Sequence, residues 1–198
     1  MSQKDTITNI LEASQEQFGQ FGFAKTTMTD IATHLGLSKA SLYYYFPDKE
    51  MLFTSVVEKE QKDFIGLMQG LISKDDDIEK ILTGIALLHL KYFSKLINLA
   101  KLKASEYCEM PGMKELRNKL RKAELALIID LLKSGVNNKK VRIDDFNKVA
   151  SLFLDSMIGL RMIHLKRSSN FIFTPTELKN LEKQIKEFVH IFINGIKK

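Results

Sequence analysis

Residues 36–49 read "GLSKASLYYYFPDK", and the three adjacent tyrosines decide the fold. Neighbouring residues of a helix point about 100° apart, so Tyr43, Tyr44 and Tyr45 cannot all face one core. Ser38 is a strong N-cap residue, Gly36 ends whatever precedes it, and Leu37 stands where it can staple onto Leu42 inside the new helix. With Leu42 inward, Phe46 falls about 40° and Tyr45 about 60° from it, Ala40 and Tyr44 lie opposite, and Tyr43 and Ser41 take the flanks. The spacing predicts a short helix over 39–45, anchored by Leu42 and Phe46, that displays Tyr43 and Tyr44. Pro47 stops it, and Asp48-Lys49 opens the next.

Displayed phenols beside Ser38, Lys39 and Ser41 offer hydroxyl and ammonium donors with flat apolar bodies, which suit phosphate oxygens and thymine methyls in a major groove. Lys49, at a helix start with free backbone N–H groups, is expected to act as a phosphate clamp. Upstream, Ile7, Ile10, Leu11, Ser14, Phe18 and Phe21 recur at helical spacing and predict a first amphipathic helix ending near Gly22. Thr26-Thr27 then caps a second helix, with Asp30 in its first turn and Ile31, Ala32 and Leu35 as its apolar face. Two short helices joined by "LGLS" have the form of a helix-turn-helix.

The stretch "GFAKTTMTDIATHLGLSKASLYYYFPDKEMLF", residues 22–53, resembles the DNA-binding signature of the TetR (tetracycline-repressor-like) family: G-F-x-x-T-T, then I-A, L-G-L-S, L-Y-x-Y-F and K-E-x-L. The match spans roughly the first quarter of the chain and is far more specific than a bare glycine turn. The resemblance implies a three-helix DNA-binding head on a larger helical body that dimerises and binds a small ligand. Carried over by position, it implies DNA contacts from Thr27, Ser38, Lys39, Ala40, Ser41, Tyr43, Tyr44, Tyr45 and Lys49. The position of Tyr45 is often histidine in that family, and the helical wheel assigns this ring to packing.

The totals agree with a helical regulator and locate little by themselves. The 198 residues are enough for one large domain or two small ones with a sizeable core. With 44% hydrophobic and 27% charged residues the chain is an ordinary globular one, and three prolines and ten glycines leave little room for linkers or sandwich turns. An all-α fold is expected. The formal charge of +6 invites a nucleic-acid partner. Residues 1–49, however, hold four Lys/Arg (Lys4, Lys25, Lys39, Lys49) against five Asp/Glu (Asp5, Glu12, Glu16, Asp30, Asp48), so placement of a few groups must do the work. Lys4, Asp5, Glu12 and Glu16 interrupt the first twenty residues, which rules against a signal peptide, and the longest charge-free apolar run, 81–90, is too short to cross a bilayer. Cys108 is the single cysteine and fits a reducing compartment. A cytoplasmic protein without a membrane partner is expected.

Beyond the head, the pattern predicts helices from Met51 to about Gly70, from near Asp75 through Leu99, a shorter segment to Tyr107, and, after the Pro111-Gly112 break, a long helix to Ser134. A polar loop over 135–144 precedes two last helices, near 145–166 and 176–196, for about nine helices in all. The head is expected at 1–48 and the effector-binding and dimerisation body at 49–198. In the last helix Leu178, Leu181, Ile185, Phe188 and Phe192 form a helix-packing seam. Small Gly159 on the preceding helix would allow close approach, so a homodimer through the last two helices is expected.

No serine-histidine-acid set, phosphate loop or carboxylate pair stands out, so no catalytic residue and no cofactor is expected. His34, His89, His164 and His190 lack metal-ligand spacing, and Glu106 and Glu109 beside Cys108 disfavour a reactive thiolate. His89 reads as a core histidine. Taken with the resemblance, His89, Tyr92, Phe93, Tyr107, Met110, Met113 and Met157 are candidates to line an effector pocket, although such residues fill cores equally well. His89, Tyr92 and Tyr107 would orient a small apolar effector. The expected function is a DNA-binding transcriptional regulator, a repressor released from a palindromic, double-stranded operator by that effector. A helical small-molecule carrier, or a protein-interaction module without operator binding, is the alternative.

Overall fold

Eight helices run through the residues described by the computed structural model, which are 3–72, 77–100, 110, 112–137, 141–167 and 174–196. They are α1 (Gln3–Phe21), α2 (Met28–His34), α3 (Lys39–Tyr45), α4 (Lys49–Leu71), α5 (Ile78–Ala100), α6 (Met113–Asn137), α7 (Phe146–Arg167) and α8 (Pro175–Ile196). The short segment expected to end at Tyr107 lies outside the described residues. Packing gathers the chain into two compact units: Met1–Asp63 with Lys95–Asn118, and Phe64–Ser94 with Lys119–Lys198. The sequence puts the head's boundary at 48/49, whereas this division falls inside α4.

In the first unit α1 buries Ile10, Ala13, Ser14 and Phe18, three and four residues apart, as an amphipathic helix must. Phe21, expected on that face, is 45% exposed. The helix stops there, Gly22 turns the chain at φ +84°, and Phe23 supplies the next inward ring. It sits 5.7 Å from Phe18 and 5.0 Å from Phe53, completing an aromatic trio with α4. The turn between α2 and α3 needs its glycine. Gly36, at φ +65°, lets its own N–H reach the Thr33 carbonyl at 3.1 Å and that of Leu37 reach the Ala32 carbonyl at 2.9 Å, which satisfies the last carbonyls of α2. On α4, Leu52, Phe53, Val56 and Val57 are fully buried.

The second unit is built on Phe64, Leu82, Ile85, Ile128, Leu132, Phe153 and their neighbours, all inaccessible or nearly so. The seam of α8 differs from the expected one. Leu181, Ile185, Val189 and Ile193 are the buried residues, four apart, while Phe188 and Phe192 lie on the flank and lean on Phe153. The expected loop over 135–144 is also shorter and less polar. Helix α6 continues to Asn137, Val141 is buried, and the Arg142 N–H donates to the Ile196 carbonyl at 2.7 Å, pinning the end of α8. Gly135 permits this, because a Cβ there would stand 2.8 Å from Ile78 and 3.1 Å from Val141.

Candidate nucleic-acid interface

Local hydrogen bonds fix α3 at both ends. The Ser38 hydroxyl accepts from the Ser41 N–H at 3.0 Å and lies 2.7 Å from the Ser41 hydroxyl, and the Phe46 N–H closes the helix on the Leu42 carbonyl at 3.0 Å. Leu42 is fully buried and Phe46 is 7% exposed, so both serve as anchors. Tyr43 is 41% and Tyr44 77% exposed. Tyr45 is half-buried and meets Tyr44 edge-on at 5.2 Å, the packing role the wheel assigns it. The Lys39 ammonium stands 5.7 Å above the Tyr43 ring, one helical turn on. Lys39, Ala40, Ser41, Tyr43 and Tyr44 thus form one exposed face, with Ser38 at its leading edge. Its donors are an ammonium and hydroxyls, and the small Ala40 leaves room for close approach.

Two other expected DNA contacts are engaged within the head. Thr27 caps α2 in a reciprocal box: its hydroxyl donates to the Asp30 carboxylate at 2.7 Å and accepts from the Asp30 N–H at 3.1 Å. The Thr27 N–H also donates to that carboxylate, at 2.9 Å. The hydroxyl bond, then the backbone one, hold the Asp30 carboxyl below its ordinary value of 3.8. Lys49 turns back on the protein: its Nζ donates to the Phe23 carbonyl at 2.9 Å and lies 4.3 Å over the Phe23 ring. The Thr27 box is legible in the sequence as T-x-x-D, whereas the Lys49 contact leaves no motif-level trace, because its partner is 26 residues away.

The effector candidates are spread over both units. His89, Tyr92 and Met157 lie in the second, where Tyr92 stacks on Phe64 at 4.4 Å, His89 meets Phe64 edge-on at 5.8 Å, and Met157 is core. Met113, fully buried, and half-buried Met110 belong to the first unit. The Phe93 side chain and Tyr107 lie outside the described residues. Sequence reasoning passed over His89's two ionic neighbours. Its Nε2 is 3.2 Å from Glu124 Oε1 on α6, and Arg161 Nη1 on α7 is 3.0 Å from its Nδ1. An arginine only donates, so Nδ1 is the acceptor in the contact with Arg161. All three residues are at least nine-tenths buried. The available signal was register: Glu124 shares the face of Ile128, and Arg161 that of Met157, each four residues away. Elsewhere in this unit, Leu71, Leu87, Leu88, Leu90 and Leu178 line an open groove of about 410 Å³, with Lys91, Ser94 and Glu182 also on its wall.

Among the described residues no three His, Cys, Asp or Glu side chains are grouped to hold a metal, and no helix is long and apolar enough to cross a membrane. The family model for bacterial regulatory proteins of the tetR family matches residues 10–56, which include α2, α3 and the start of α4. The HTH-type transcriptional regulator QacR of Staphylococcus aureus (strain Mu50) is 27% identical over 203 residues, covering both chains in full. The HTH-type transcriptional regulator RutR of Escherichia coli (strain K12) is 46% identical over 50 residues, 25% of this chain and 24% of that protein. A crystal structure of a transcriptional regulator from Cytophaga hutchinsonii superimposes with a TM-score of 0.87 at 30% identity, covering 96% of this chain and 97% of the other.

Proposed function

This chain belongs to the tetR family of bacterial regulatory proteins and is a DNA-binding transcriptional regulator, and from that premise we propose that it is a repressor released from its operator by a small apolar ligand. The observation that carries the DNA-binding half is α3, which anchors on buried Leu42 and Phe46 and exposes Tyr44 on the opposite side and Tyr43 on the flank, with Lys39 over the Tyr43 ring. In the proposal α3 enters a major groove. Lys39 and Ser41 read base edges, Tyr43 and Tyr44 set register on phosphates, Ala40 admits a thymine methyl, and Ser38 and Tyr45 hold the helix in place.

Regulators of this family bind operator DNA as dimers. For this chain the proposed dimer face lies on α7 and α8. Leu152 and Ile163 are 58% and 50% exposed on one side of α7, a Cβ on Gly159 between them would meet nothing within 4 Å, and Ile191 on α8 is 65% exposed. Apolar side chains this open in a helical protein favour a partner surface. Two-fold symmetry then calls for two matching half-sites. The effector would enter the second unit near His89, Tyr92 and Met157. It acts by binding better to a dimer whose heads are spaced wrongly for the operator, and bound DNA weakens the ligand by the same factor.

Selection of bound sequences from a random duplex pool tests the reading. The expected result is enrichment of a palindrome, with affinity falling steeply as salt rises. The variant K39A/Y43A/Y44A, folded as the parent is, should lose that binding. A pool that yields no preferred sequence, or a folded triple variant that binds undiminished, would leave a helical carrier or protein-interaction module as the better account.

A further inference from the structure

Between Leu152 and Ile163 the charged residues are Asp155 and Arg161. Arg161 turns inward to His89 and is buried. Asp155 turns the other way. At about 100° per residue it shares an arc of about 80° with Leu152, Gly159 and Ile163, and its side chain is 58% exposed. A carboxylate therefore stands on the side of α7 that otherwise offers Leu152, Gly159 and Ile163 to a partner.

That charge is met from another helix of the same unit. Arg121 on α6 grips it in a two-pronged contact, with Nη1 2.8 Å from Oδ1 and Nη2 donating to Oδ2 at 3.2 Å. Two parallel bonds hold the planar guanidinium against the planar carboxylate, which a lysine ammonium could not do. In open water such a pair adds little to folding. On a two-fold face its effect is larger, because both subunits present the same patch and every residue of it enters the interface twice. A lone Asp155 would be stripped of water in each subunit with no counter-charge. The fork removes that cost before association begins, and it leaves no net charge on the face to draw a cationic partner.

We propose that Arg121 makes this face compatible with a second copy of the chain: the Arg121–Asp155 fork supplies the counter-charge that lets this side of α7 be covered by another subunit. The proposal rests on the dimer face placed above on α7 and α8, and adds α6 to the helices that shape it. A fork that only ties α6 to α7 would affect melting and leave association alone.

The test measures the dimer dissociation constant of the full chain by sedimentation equilibrium over a dilution series. The concentration dependence of the melting temperature ranks the same variants should the parent not dissociate on dilution. R121M should raise the dissociation constant about tenfold or more, and R121D should raise it further. R121M/D155M, which removes both charges, and R121D/D155R, which exchanges them, should each return it to within about twofold of the parent. R121M keeps the question answerable should R121D not fold. An R121M constant within about twofold of the parent, even with a lowered melting temperature, would make the fork a contact within the subunit and overturn the proposal. Double variants as weak as R121M would overturn it too, since the loss would then not come from an unpaired Asp155. L152E/I163E is measured alongside. If that variant stays dimeric the interface lies elsewhere, which is a failure of the dimer face itself and is distinguishable from a failure of the fork.

Discussion

Replacing Arg161 by leucine should be among the most damaging single changes in the second unit, and removing Glu124 as well should undo most of the damage. The guanidinium, the imidazole of His89 and the Glu124 carboxylate form a line across three helices, with contacts of 3.0 and 3.2 Å. The Glu124 side chain is 5% exposed. In R161L the buried Glu124 carboxylate loses the guanidinium at the other end of this line, and leaving a buried charge uncompensated costs about 3–5 kcal/mol. In a chain of this size each kcal/mol moves the melting temperature by about 2–4 °C, so a loss of about 6–20 °C is expected. In E124L/R161L both buried charges are gone, and such replacements are neutral or even stabilising by about 1–4 kcal/mol. The assay is thermal unfolding of parent, singles and double at one protein concentration, because dimerisation makes melting concentration-dependent. An R161L melting point within about 2 °C of the parent, or a double variant as weak as the single, would refute the assignment of these groups as one coupled cluster.

Replacing both Leu152 and Ile163 by glutamate should leave the chain folded yet monomeric by sedimentation equilibrium, since burying two charges opposes association; an unchanged dimer would move the interface away from α7. Gly135→Ala should lower stability by about 1 kcal/mol in urea unfolding: crowding at Ile78 and Val141 outweighs the helix-propensity gain, and a stabilised variant would show that those side chains yield freely. Asp30 has a folded value depressed below 3.8, so its capping contribution is complete above that pH and disappears as pH falls through the lower folded value. The melting-temperature gap between parent and D30A should therefore close on acidification through this range, and a gap that widens would contradict the sign.

The head was legible because its signals are local. A cap, a glycine at positive φ and two apolar anchors four residues apart specify α3 without help from distant chain, and Leu42, Phe46, Tyr43 and Tyr44 stand where the wheel puts them. What stayed hidden is set by long-range choice. The ammonium of Lys49 can bond a phosphate or a backbone carbonyl, and nothing beside it in sequence says which. Glu124 and Arg161 are ordinary surface residue types until three separate helices bring them to one imidazole. In α8 the two phenylalanines attract the seam by size, but Val189 and Ile193 keep the four-residue step with Ile185 and take the inner line. Phe21 misled for a related reason: the helix ends before its face can be used, and Phe23 fills the space from the turn.

The chain contains no tryptophan and five tyrosines, and three of the five are consecutive on α3. A good part of its near-ultraviolet emission therefore comes from α3, with Tyr44 the most open of the three. Entry into a groove would take Tyr43 and Tyr44 out of water and change that light, so the protein carries a built-in optical gauge of groove occupancy and needs no attached dye.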